Sequence, residues 1–357
     1  MGFILNKMER KKTTEKLSTQ IRRSTRMKRV GPPEFDGFFP GNNISTGSTL
    51  LDLAISGGRV RGGGLPGGIL VEIYGPSGSG KTVLLSEIAG SIQRRKGEIM
   101  FHDPEARLNK QFAKMFGLNL EDSKYSRPNT VTEVFKAVRK WEVKDDTVIN
   151  GIMADSLAAL STDMEMEEDT DKMGMRRAKE FSEELRKTCR ILAKNNYIMV
   201  CSNQIRVNMN AGPYGQKHTT PGGESIGFYA SLRLRTKTPE KIKVVKSFAG
   251  KKVERTIGVD VLVEVVKSSI WKPHRTAPVS IIFDYGIDDI RQNLQYVKQH
   301  TKNTMYMVGS FTLAKSLEDS IKQVEEEGLE EALKQEVILL WNKIERSFDS
   351  HRKPKKR

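Results

Sequence analysis

The chain has 357 residues, 37% of them apolar, which is enough for one large packed core with small additions. Lysine and arginine number 60 against 44 aspartates and glutamates, a formal charge of +16 that favours a polyanionic partner such as nucleic acid over a merely solvated basic surface. The two cysteines, Cys189 and Cys201, form no C-x-x-C pair, which speaks against a disulfide framework or a zinc ribbon and fits a reducing, cytoplasmic setting. No apolar run approaches the roughly 20 residues needed to span a bilayer, so no membrane role is expected.

In chain order, residues 1–35 form a basic arm carrying Arg10, Lys11, Lys12, Arg22, Arg23, Lys28 and Arg29. Leu17 and Ile21 share a helical face there, and Gly31-Pro32-Pro33 stops any helix. A Gly-rich loop from Gly57 to Gly68 leads into a strand. From there to about residue 288, short apolar runs alternate with helical patterns. The runs are Ile69 to Tyr74, Glu98 to Phe101, Val148 to Ala154, Tyr197 to Ser202, Leu232 to Arg235, Val259 to Lys267 and Val279 to Phe283, with Asn150 and Gly151 interrupting the third. This alternation predicts an α/β core with a mostly parallel central sheet at 36–288. Residues 289–357 read as a small helical module, with Ile321, Val324, Leu329, Leu333, Val337, Leu340 and Trp341 at helix spacing, closing on the basic tail HRKPKKR.

The strongest local signal is Gly75-Pro76-Ser77-Gly78-Ser79-Gly80-Lys81-Thr82, which matches G-x-x-x-x-G-K-[ST] directly after an apolar strand. Glycines let backbone N–H groups face phosphates, and Val83 onward opens a helix whose positive end points at them. Lys81 is expected to reach the β and γ phosphates of a nucleoside triphosphate, and Thr82 to ligate Mg2+. Asp155, closing the apolar run Val148 to Ala154, either holds the metal or caps the helix that Leu157 would open. Glu105, just past the second strand, either orients the attacking water or is a surface residue in the first turn of a helix.

The ordered series STGS (Ser45 to Ser48), EIYGPSGSGKT, HDPEARLN, MADSLAAL, SNQIR, TPGGESIGFYASLRLR and VEVVKSS resembles the RecA family of DNA strand-exchange ATPases in its bacterial form, over roughly residues 36–300. The resemblance implies a P-loop RecA-like core, with the arm at 1–35 as a polymerisation element and the helical module following the core. It implies that Glu105 activates water, that Asp155 holds Mg2+, and that Gln204 senses the γ phosphate at the head of the second DNA-binding loop. It further implies that Phe112 stacks on adenine with Asn109 beside it. Lys267 would enter the nucleotide site of a neighbouring subunit, and ATP would then stiffen a helical filament of identical copies. A core position for Phe112 and a solvated strand end for Lys267 are the plain alternatives.

Two segments would hold DNA under the same resemblance. Asp163 to Arg177 contains Met173-Gly174 followed by Arg176 and Arg177, and Ile205 to Gly223 contains Arg206, Tyr214, Lys217, His218 and Gly222-Gly223. The second is rich in Gly, Pro and Asn, which predicts a loop, and an aromatic among cations suits unpaired bases. The sequence departs from the family pattern at Ser269, where bacterial members carry a second lysine, at Glu224, where an amide is usual, and in ending on a basic rather than an acidic tail.

The resulting expectation is an ATP-dependent recombinase whose partners are single-stranded DNA, homologous duplex and further copies of itself, with single-strand-binding and loader proteins as additional partners. Rival readings are a RecA-fold ring motor and a non-hydrolysing accessory paralogue. A single P-loop, the Gln204 position and intact Lys81, Thr82, Glu105 and Asp155 weigh against both.

Overall fold

A computed structural model of the chain describes residues 43–57, 62–161, 173–207, 218–219, 224–350 and 352. The arm at 1–35, the tail apart from Arg352, and the candidate DNA contacts Tyr214, Lys217, Gly222 and Gly223 lie outside these residues. The described residues separate into two compact units, one ending at Gln292 and the other beginning at Asn293. Among them no helix is long and apolar enough to cross a membrane.

The first unit opens on helix α1 (Thr49–Ser56), whose N-cap Ser48 accepts from Leu51 N. Asp52 is buried, and it is satisfied by Ser45 Oγ at 2.6 Å, Thr46 N at 2.8 Å and Thr46 Oγ1 at 2.7 Å. The STGS segment is therefore a cap and turn around one buried carboxylate. Then come β1 (Leu70–Gly75), α2 (Lys81–Arg94), β2 (Ile99–His102), α3 (Lys110–Met115), β3 (Ser123–Ser126), α4 (Val131–Arg139), β4 (Asn150–Ala154), a single 3-10 turn (Leu157–Ala159), α5 (Met173–Asn195) and β5 (Tyr197–Gln204). Two-residue strands β6 (Arg206–Val207) and β7 (His218–Thr219) pair with each other. Helix α6 (Glu224–Tyr229) and strands β8 (Leu232–Thr236), β9 (Glu240–Phe248), β10 (Lys251–Ser268), β11 (Thr276–Ile282) and β12 (Gly286–Ile287) complete the core.

Six strands run parallel in the order β3-β2-β4-β5-β1-β8, and an antiparallel wing continues through β10, β11 and β12. The expected mostly parallel α/β sheet is present. The runs Val259 to Lys267 and Val279 to Phe283, however, belong to its antiparallel wing. Strands β1, β2 and β4 are buried along their whole length, as helix-covered parallel strands must be. On one side, α4 and α5 meet through Phe135 and Phe181, whose rings cross edge to face at 6.3 Å. One charge sits at the centre: Glu72 on β1 is fully buried, taking Arg233 Nε at 2.6 Å and Asn203 Nδ2 at 3.1 Å.

Asn150 and Gly151 do not break β4. The Asn150 amide accepts from Glu98 N at 2.7 Å and donates to the Asp145 carbonyl at 2.8 Å, so it seals the strand start. At Gly151 a Cβ would come within 2.5 Å of Ile92 Cδ1, so the strand needs a residue without one to pass under α2. Strand β9 and the first half of β10 form an exposed ribbon with no counterpart among the predicted runs.

Helix α2 carries a second feature of interest. Glu87 lies against Gly47 and Gly286 and accepts a hydrogen bond from Ile287 N, and burial pushes its carboxyl up to about 7. Because the folded value exceeds the ordinary one near 4.5, the folded state holds the extra proton between those values. Stability falls as pH rises through that window and stays lower above it. Glu87→Gln, which mimics the protonated form, is expected to remove this loss and to stabilise the protein by about 1–3 kcal/mol at pH 8 relative to the wild type. Urea unfolding at pH 5 and pH 8 checks it, and an unchanged pH slope in the variant counts against it.

The second unit contains most of helix α7 (Asp289–His300), hairpin β13 (Met307–Val308) to β14 (Phe311–Thr312), α8 (Leu317–Glu327) and α9 (Glu330–Ser347). Ser316 caps α8, and Gly328, at φ 62°, ends it in the left-handed conformation that glycine tolerates. Of the residues expected on the apolar face, Val324, Leu329, Leu333, Val337 and Trp341 are buried, and Ile338 is buried where Leu340 is only partly so.

Candidate nucleotide site

Sheet register brings the chemistry together. Gly75 pairs with Gln204, Ala154 with Cys201, and His102 with Ala154, so the carboxyl ends of β1, β5, β4 and β2 open side by side. Open α/β sheets bind ligands at that edge. A cavity of about 280 Å³ lies there, lined by Ser77 to Val83, Glu105, Phe112, Asp155 and Gln204. Sequence reasoning missed four of its other polar or charged walls, Arg107, Ser156, Ser202 and Asp284.

The loop between β1 and α2 is built for phosphate. Gly78 and Gly80 have φ 72° and 76°, and Gly80 is the N-cap of α2 with no side chain on the first N–H groups, which leaves them free for an anion. Gly75 passes so close to β8 that a Cβ would meet the Thr236 carbonyl oxygen at 2.5 Å, and Ser79 Oγ bonds Thr236 Oγ1 at 2.7 Å. The loop is thereby pinned to the sheet. Lys81 Nζ rests on the carbonyls of Gly75 at 3.1 Å and Pro76 at 2.7 Å. Burial pushes its ammonium below the usual lysine range, and the nearby Asp155 and Glu105 carboxylates pull it partly back.

Asp155 Oδ2 accepts from Thr82 Oγ1 at 2.6 Å, while Oδ1 accepts from Ser202 Oγ. Ser156 rather than Asp155 stands at the N-cap position of the 3-10 turn. A hydroxyl and a carboxylate in contact, both oxygen donors, fit a hard cation that draws its remaining ligands from water and phosphate. No cluster of three or more His, Cys, Asp or Glu able to cage a metal occurs among the described residues.

Glu105 is not in the first turn of a helix, since α3 begins at Lys110 behind its N-cap Asn109. Its side chain is 17% exposed and faces the cavity, with Oε1 accepting from Ser156 Oγ at 3.2 Å and Oε2 paired with Arg107 Nε at 2.8 Å. Gln204 ends β5 on the same cavity. Phe112 also lines it, edge-on to Phe116 at 4.6 Å. Asn109 does not reach the cavity wall, because its side-chain oxygen caps α3 by accepting from Phe112 N at 2.7 Å.

Lys267 is not part of this chain's own cavity. A bulge in β10 between Val265 and Lys267 aims it at the end of α6, where Nζ donates to the carbonyls of Gly227 at 2.9 Å and Phe228 at 2.8 Å. Met173, Gly174, Arg176 and Arg177 open helix α5 rather than lying in a loop, which corrects the expected loop boundary at Arg177. Arg206 lies in β6, directly beyond Gln204 and one intervening residue.

Known proteins resemble the chain over this core. The family model for the RecA N-terminal domain matches residues 39–288. Protein RecA of Thermus thermophilus is 37% identical over 249 residues, covering 69% of this chain and 68% of that protein. Protein RecA of Campylobacter jejuni subsp. doylei is 35% identical over 256 residues, 71% and 70% of the two chains, and that of Delftia acidovorans is 35% identical over 249 residues, 68% and 62%. With the family model spanning the whole sheet that frames the cavity, this chain belongs to the RecA family of DNA-recombination ATPases.

Proposed function

We propose that the chain is an ATP-dependent homologous recombinase. It assembles as a helical filament on single-stranded DNA in the triphosphate state, pairs that strand with homologous duplex, exchanges strands, and releases DNA after hydrolysis. The observation that carries this reading is the pairing of Gly75 with Gln204. The strand that ends in the phosphate loop and the strand that feeds residues 205–223 are nearest neighbours, so one amide can touch the terminal phosphate and shift the DNA-facing segment.

In this reading Lys81 and the free N–H groups of α2 bind the triphosphate, and Phe112 holds the base. Thr82 and Asp155 hold Mg2+, which neutralises charge on the phosphates. Glu105 takes the proton of the attacking water. Lys267 leaves the end of α6 for the nucleotide of the next copy, which places ATP at the seam between protomers. Arg176, Arg177 and Arg206 contact DNA phosphates, with Met173-Gly174, Tyr214, Lys217 and Gly222-Gly223 completing the contact segments. The arm at 1–35 mediates polymerisation, 36–288 is the ATPase core, and 289–357 is an accessory helical module with a basic tail.

Negative-stain imaging with a non-hydrolysable ATP analogue and single-stranded DNA tests the proposal. Continuous helical filaments are expected, whereas closed rings would transfer the chain to the ring motors. In the same preparation Gln204→Ala is expected to bind the analogue yet lose the gain in DNA affinity that it brings. An ATP-enhanced affinity preserved in that variant refutes the sensor role.

A further inference from the structure

Arg107 lines the nucleotide cavity and belongs to neither the phosphate loop nor the metal pair. Its backbone is fixed. Asp103, itself buried, accepts from Arg107 N at 3.2 Å, from Leu108 N at 2.9 Å and from Tyr125 Oη at 2.8 Å. Between Glu105 and Arg107 the chain turns through Ala106 at φ 53°, so that both flanking side chains reach the same cavity. The side chain is not fixed in the same way, since 64% of it is exposed, and among the described residues its ion pair is with Glu105 Oε2, at 2.8 Å. Lys81 lines the same cavity.

Both carboxylate oxygens of Glu105 are occupied in this arrangement, Oε1 by Ser156 and Oε2 by Arg107. A general base must hold the attacking water within hydrogen-bond reach, and a guanidinium on Oε2 competes with water for that oxygen. With one partner largely in water, such a pair is weaker than a fully buried one and its guanidinium can exchange partners. A terminal phosphate presents oxygens with more charge than one carboxylate, arranged to take a guanidinium fork.

We infer that Arg107 is a γ-phosphate ligand parked on Glu105: when a triphosphate enters, the guanidinium moves to the terminal phosphoryl oxygens and frees Glu105 Oε2. Water then attacks the γ phosphorus and gives its proton to Oε2. The bond from the γ phosphorus to the bridging oxygen breaks, and ADP leaves with the electron pair. With ADP the terminal oxygens are absent, and Arg107 returns to the carboxylate. This inference rests on Glu105 as the water-activating base.

The test measures binding of ADP and of a non-hydrolysable ATP analogue to the full chain, with steady-state ATP hydrolysis alongside, for Arg107→Ala, Arg107→Lys, Glu105→Gln and the double variant. Arg107→Ala is expected to weaken the ATP analogue about tenfold while ADP affinity stays within about twofold, and Arg107→Lys to recover part of the difference. Glu105→Gln, which releases the guanidinium, is expected to tighten the analogue severalfold, and the double variant to lose that gain. Equal losses for both nucleotides, no loss for either, or additive behaviour of the two substitutions overturns the inference. Normal hydrolysis by Glu105→Gln instead overturns the role of Glu105 itself, a separate outcome read in a separate assay.

Discussion

Lys81→Ala is expected to abolish productive ATP binding, lowering affinity for a non-hydrolysable ATP analogue by at least about 100-fold, or roughly 3 kcal/mol. The magnitude follows from burial. Lys81 is 9% exposed at the head of α2, where its ammonium has little water to compete with a phosphate oxygen. Charge-assisted bonds of this kind are roughly twice as strong as neutral ones. Calorimetric titration checks the prediction, and thermal unfolding of the variant separates a lost ligand contact from a lost fold. An affinity within tenfold of the wild type in a folded variant would remove Lys81 from phosphate binding.

Glu105→Gln is expected to reduce turnover by about 100-fold to 10,000-fold while DNA and ATP analogue remain bound. The amide keeps the shape and can still face Ser156, but it cannot take a proton. The expected state is one locked on DNA with unhydrolysed nucleotide, and the measurements are single-turnover hydrolysis together with DNA retention after dilution. A rate near that of the wild type would mean that some other group activates water.

Much of this site was legible before any coordinates. The phosphate loop is local chemistry, in which strand, glycines, lysine and helix follow one another in eight residues, so nothing distant has to be guessed. Asp155 was legible because parallel strands end on one edge and an acid closing an apolar run arrives there, whereas Gln204 was singled out only through the family resemblance. Arg107 was not legible, since only the turn at Ala106 brings it into the cavity beside Glu105. The capping bond of Asn109 was not legible for a related reason: it is a property of where α3 starts, and that start lies in a polar stretch without apolar periodicity.

The fold shows the same division. Strands such as β1 and β5, buried over all or nearly all of their length, read as mainly apolar runs. The ribbon of β9 and early β10 alternates lysines with half-buried Ile242 and Val244 and leaves Val245 and Phe248 exposed, so no apolar run marks it. Strand β3 is four residues, SKYS, carried by pairing to β2 rather than by its own composition. Asn150 and Gly151 looked like an interruption because their value is relational: one bonds a neighbouring backbone and the other makes room for Ile92.

The resting place of Lys81 on the Gly75 and Pro76 carbonyls has a consequence for the end of the catalytic cycle. An ammonium held in a nearly dry pocket would resist the departure of spent nucleotide if discharge left it stranded without a counter-dipole. Here the loop supplies its own substitute ligands a few ångströms away, so the vacated cradle is already solvated from within. In the proposed cycle these carbonyls take over the ammonium as the phosphate leaves.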